Sequence, residues 1–108
     1  MAIVSEKKGK WLVFYLEGRL DVQFSQDLED QVMPNIEKGE LNIIFNLGKA
    51  EYISSSAINI FVNAMNRIKR KFGEFCLSNV GEAVLRVLKI VELDEIFSIY
   101  NTEEEILK

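Results

Sequence analysis

Histidine is missing from this chain of 108 residues, and its absence removes more chemistry than any other feature of the sequence. No Ser-His or Cys-His nucleophile pair can form within it, and neither a phosphohistidine relay nor the commonest zinc ligand is on offer. Cysteine occurs once, as Cys76, so no internal disulfide closes, and the chain fits a reducing compartment. Proline also occurs once, as Pro34. No apolar run approaches membrane-spanning length, and Met1 to Val4 is too short a hydrophobic segment to act as a signal. The expectation is a cytoplasmic protein without a membrane span.

Concentrated positive charge is lacking too. The net charge is -4, and the basic residues form no long stripe of the kind that phosphate backbones require, so no direct nucleic-acid partner is expected. The one basic cluster, Arg67, Lys69, Arg70 and Lys71, falls where a helix should end, which suits the negative end of its dipole. What is present is apolar: 48% of residues are hydrophobic, enough for one well-filled core in a single domain over 1–108.

Along the chain, Ala2 to Ser5 and Trp11 to Leu16 read as strands around a turn at Lys7-Lys8-Gly9-Lys10, with Gly18 breaking the second run. Phe24, Leu28, Val32 and Ile36 mark one face of a helix, with Ser25 as its N-cap and Asp27, Glu29 and Asp30 near its positive end. Pro34 should kink that helix or end its regular part near Met33, and Gly39 should stop it. Residues 41–47 read as a buried strand. Ser54-Ser55-Ser56 then precedes a helix of about four turns whose inner face carries Ala57, Phe61, Met65, Ile68 and Phe72, closed by Gly73. Phe75 to Ser78 is a short strand, Val80 to Val91 a third helix and Ile96 to Tyr100 a last strand. Thr102 to Glu105 is a capping box opening a C-terminal helix. The order β-β-α-β-α-β-α-β-α predicts an α/β fold with a mixed, mostly parallel sheet of about five strands.

The three serines stand where a helix start leaves amide groups unpaired and partly positive. A serine there can serve simply as a cap, and a phosphate carried there would sit in a natural anion site. Ile58 and Val62, one turn apart beside the serines, either expose an apolar patch or pack under a neighbouring helix. Catalytic readings are thin. Asp21 with the serines offers too few converging ligands for metal-assisted phosphoryl chemistry, and Cys76 between Phe75 and Leu77 reads as a small core residue. No Gly-rich phosphate loop is present, and no cofactor is expected.

Five segments in order and spacing, Gly18-Arg-Leu-Asp21, Phe45-Asn-Leu-Gly48, Tyr52-Ile-Ser-Ser-Ser-Ala57, Val84-Leu-Arg-Val-Leu88 and Leu93-Asp-Glu-Ile-Phe97, resemble the STAS domain family over essentially the whole chain. The resemblance is to the bacterial anti-sigma factor antagonists. It implies about four helices packed mainly on one face of the sheet, and a partner that is both anti-sigma factor and serine kinase. It also implies phosphorylation at Ser55 that switches binding off. Asp21, Ser54, Ser56, Ala57, Ile58 and Val62 are the expected partner-binding neighbours. The family's helix-start motif is typically Asp-Ser-Ser/Thr-Gly; this chain has Ser54 in place of the acid and Ala57 in place of the glycine. Those departures keep open a second reading, a constitutive STAS adaptor subunit of a larger signalling or transport assembly, never phosphorylated. A monomer or weak dimer fits either reading.

Overall fold

Alternation decides which face of each strand is buried. In the computed structural model, which describes residues 3–108, strand β2 (Trp11–Leu20) sends Leu12, Phe14 and Leu16 to one face and Trp11, Val13 and Tyr15 to the other. Strand β1 (Ile3–Lys8) pairs with it antiparallel through a two-residue turn, where Gly9 takes the left-handed conformation (φ 63°) that tight hairpins favour. Strand β3 (Asn42–Ile53) runs parallel to β2, β4 (Glu74–Ser78) parallel to β3, and β5 (Ser98–Tyr100) parallel to β4. The sheet order is β1-β2-β3-β4-β5, the mixed, mostly parallel arrangement expected.

Helices α1 (Val22–Glu37), α2 (Ser55–Arg70) and α3 (Glu82–Ile90) are the crossovers, and their apolar stripes close the main core against one sheet face. Phe45 sits at its centre and meets Phe14, Phe61 and Phe75 edge-to-face at centroid distances of 5.9, 5.0 and 4.8 Å. The short C-terminal helix α4 (Glu103–Leu107) covers part of the other face, where Ile106 and Leu107 pack on Trp11, Val13, Ile44 and Cys76. Three of the four helices therefore share a face.

Several boundaries differ from the sequence reading. Strand β1 begins at Ile3 and runs to Lys8; Ala2 lies outside the described residues. Gly18 does not end β2. It sits in the strand at φ 83°, beside a register shift against β3 that lets pairing continue to Leu20 and Ile53. The cap of α1 is Asp21, not Ser25: the Asp21 carboxylate accepts from Phe24 N at 2.9 Å, while the Ser25 hydroxyl donates back to Asp21 O. Pro34 lies inside α1, which continues to Glu37. Phe72 is not on the core face of α2. The helix ends at Arg70, and Phe72 turns outward at φ 64° with 98% of its surface exposed. The following Gly73 is obligatory, because a Cβ there would meet the Leu41 carbonyl oxygen. Val80 precedes α3, and Ile96 and Phe97 precede β5.

Candidate functional site

The parallel strands β2 and β3 end side by side, with Leu20 paired to Ile53, and each passes directly into a helix. Two helix starts therefore lie together at the carboxyl edge of the sheet, the edge where open α/β sheets place their working residues. The caps have nearly the same backbone, Asp21 at φ -91°, ψ -166° and Ser54 at φ -91°, ψ 165°. They are tied together by the Ser54 amide, which donates to Leu20 O at 2.9 Å. Asp21 brings a carboxylate to the first helix. The second has only the Ser54 hydroxyl, which accepts from Ala57 N at 3.1 Å, and no acidic residue in its first turn.

Within the serine run the three hydroxyls have separate surroundings. Ser54 is buried and engaged as the cap, Ser56 is half-buried, and Ser55 is exposed at the first helical position. Ala57 is fully buried, so its methyl fills core space instead of the outer surface of the motif. Ile58 is 6% exposed and belongs to the core; of the proposed apolar pair, only the half-buried Val62 reaches the surface. Residues outside the expected partner-binding set also reach this edge. Val22, the first residue of α1, is exposed. Arg19, paired in register with Tyr52, lies over that ring at 4.3 Å. Their neighbouring strand positions would have located them, had the register between β2 and β3 been known.

A second polar cluster lies on the reverse face. Glu103, the first residue of α4, is buried, and its carboxylate accepts from Lys8 Nζ at 2.6 Å, Tyr15 Oη at 3.1 Å and Asn46 Nδ2 at 2.9 Å. Its amide donates to Asn79 Oδ1 at 3.1 Å. Burial pushes this carboxyl up, but the hydrogen bonds from Lys8, Asn46 and Tyr15 outweigh it and hold the group below the usual glutamate range. The hydrogen bonds that Lys8 donates to Glu103 and Tyr15 drive its ammonium well above its ordinary range, while burial raises the Tyr15 phenol. Cys76 is buried too; burial, then the nearby Glu74 charge, lifts its thiol to about 11, which suits a core residue and not a nucleophile. Among the described residues, no group of three or more acidic or cysteine side chains is arranged to hold a metal, and no helix is long and apolar enough to cross a membrane.

With this geometry in view, the comparisons with known proteins converge. The STAS domain model matches residues 2–106. The chain belongs to the STAS domain family. BtrV of Bordetella bronchiseptica, assigned by name to the anti-sigma factor antagonists, is 25% identical over 104 residues, covering 96% of this chain and 90% of its own. The anti-sigma-B factor antagonist of Staphylococcus aureus is 24% identical over 82 residues, 76% of each chain. Among solved structures, the unphosphorylated anti-sigma factor antagonist SpoIIAA superposes with a TM-score of 0.79 at 20% identity, covering 97% of this chain and 93% of its own. The Bacillus SpoIIAA structure in its phosphorylated form gives 0.78 at 21%, covering 97% and 96%. At that identity the likeness establishes the shared fold.

Proposed function

We propose that this STAS domain is an anti-sigma factor antagonist that binds an anti-sigma factor with serine-kinase activity, and that phosphorylation of Ser55 switches this binding off. The observation that carries the reading is the division of labour in the serine run. Ser54 takes up the capping role and is buried, which leaves Ser55 exposed at a helix start with no carboxylate in its first turn. A phosphate on Ser55 would bring roughly -1.5 to -2 charges to the positive end of the α2 dipole, a place that tolerates them. The fold would persist, while a partner surface fitted to a neutral hydroxyl would meet a hydrated anion. Ser56, Val62, Asp21, Val22 and the Arg19–Tyr52 pair, all exposed or half-buried, would supply the contact surface, while Ala57 and Ile58 are buried in the core. This is a binding role in the cytoplasm, in which the domain is substrate and ligand but not catalyst.

The same helix start favours a second reading. With Ser54 replacing the acid typical of the motif, a kinase that reads a carboxylate beside the acceptor would pass over Ser55. The domain would then be a constitutive adaptor in a larger assembly. Phosphopeptide mapping of the protein isolated from its host during growth and stress, with affinity capture by wild type, Ser55→Ala and Ser55→Asp, separates the two. The switch predicts phosphate at Ser55 and loss of the anti-sigma factor from Ser55→Asp alone. An unmodified Ser55 and a stoichiometric complex indifferent to both substitutions would establish the adaptor.

A further inference from the structure

The opposite edge of the sheet, where the parallel strands begin, carries an exposed surface that neither reading uses. Phe72 lies two residues before β4 and Ile96 two residues before β5, and those strands are paired neighbours through Cys76 and Ser98. The two segments therefore reach the same edge, since paired strands run about 4.8 Å apart. Phe75 and Phe97, just inside them, are 6.2 Å apart between ring centroids. Phe72 is 98% exposed, Ile90 73% and Ile96 50%.

The backbone gives no reason for a phenylalanine at position 72. Its φ of 64° is the left-handed conformation that usually follows a helix as glycine or asparagine. A large aromatic held outward in that conformation points to a use outside the fold.

Charge divides this surface in two. Lys69, Arg70 and Lys71 precede Phe72, and none forms an ion pair among the described residues; Arg67 alone in that cluster is paired, to Glu37. Across the edge, Glu92, Asp94 and Glu95 stand between Ile90 and Ile96, also without ion-pair partners among the described residues. A basic ridge bearing one exposed aromatic thus shares an edge with an acidic ridge bearing three exposed aliphatics, Ile90, Val91 and Ile96. A two-fold axis at this edge sets the basic ridge of each copy against the acidic ridge of the other, which is the self-complementarity an isologous dimer requires. From this we infer that the strand-start edge is a self-association surface, occupied by a second copy of the chain with Phe72 seated between Ile90 and Ile96 of that copy. The inference does not depend on the role of Ser55. In such a dimer both serine edges face outward, free for their partner.

Sedimentation equilibrium of the full chain from low micromolar to submillimolar concentration tests this, with Phe72→Ser, the pair Arg70→Glu and Lys71→Glu, and the pair Glu92→Lys and Glu95→Lys. All five positions are exposed, and circular dichroism checks that each variant folds. Wild type should dimerise, weakening as salt rises, and each variant should weaken its own association by at least about tenfold, each tenfold being one decade in dissociation constant. Mixing the two charge-reversed proteins should restore the dimer, because every ridge then meets its opposite. A monomeric wild type at every concentration would overturn the inference, as would a dimer that all the variants leave intact. A monomer that instead binds vesicles rich in phosphatidylserine through Lys69 to Phe72 would assign this edge to a membrane surface and overturn it equally.

Discussion

Two polar clusters lie on this small fold, and they contrast in almost every respect. Around Glu103 a buried carboxylate is matched by three donors from β1, β2 and β3, with perturbed titration in three of the groups involved. Around Ser55 the serine run offers one buried capping hydroxyl, Ser54, and one half-buried hydroxyl, Ser56, and the cap is satisfied without Ser55, which is exposed. The electrostatically conspicuous cluster holds a buried carboxylate in three hydrogen bonds, so it fixes α4 to the sheet. The quiet cluster leaves its central hydroxyl available at a helix start. On the proposed reading, the exposed group in a prepared environment carries the function, and the strongly shifted titrations mark a structural anchor.

The contrast can be broken at either end. The largest effect is expected from Ser55→Asp, which should lower affinity for the anti-sigma factor by about a hundredfold or more, roughly 2.7 kcal/mol, measured by calorimetric titration. Its unfolding free energy should stay within about 0.5 kcal/mol of wild type, as for other exposed sites. Glu103→Ala should do the reverse. Losing an acceptor shared by Lys8, Tyr15 and Asn46 should cost about 2 kcal/mol of stability in urea unfolding, with partner affinity unchanged.

Acid should produce a milder version of that loss. The folded Glu103 carboxyl titrates below its ordinary value of 4.5, so its contribution is complete above that pH and is lost as pH falls through the lowered folded value. The stability gap between wild type and Glu103→Gln, followed by thermal unfolding, should therefore be constant at neutral pH and close in acid. Smallest are the caps. Ser54→Ala and Asp21→Ala should each cost about 1 kcal/mol, and Ser54→Ala should leave Ser55 as exposed as before.

Much of this was legible in the sequence, for identifiable reasons. Apolar periodicity marked all three crossover helices, because each buries a single stripe. The serine run announced a helix start whichever serine capped it. Asp21 was missed as the cap of α1 because Val22 is exposed and lies off the stripe that begins at Phe24. Phe72 fell on the α2 periodicity, but periodicity carries no sign of the left-handed residue that ends the helix. Glu103 was hidden most completely. Its partners lie 57, 88 and 95 residues away, and inside a capping box it reads as one acid among three. The box itself forms with a local variation: Glu105 N donates to Thr102 Oγ1, while the Glu105 carboxylate accepts from Asn101 N, not Thr102 N. Ile58 was ambiguous at its sequence position, and only the packed helix pair places it in the core.

The most direct measurement is a paired one on protein stoichiometrically phosphorylated at Ser55: its affinity for the anti-sigma factor by calorimetry, and its thermal unfolding midpoint. The account predicts an affinity lower by at least about a hundredfold and a midpoint within about 2–4 °C of the unmodified domain. Unchanged affinity, or affinity lost together with the fold, would contradict it.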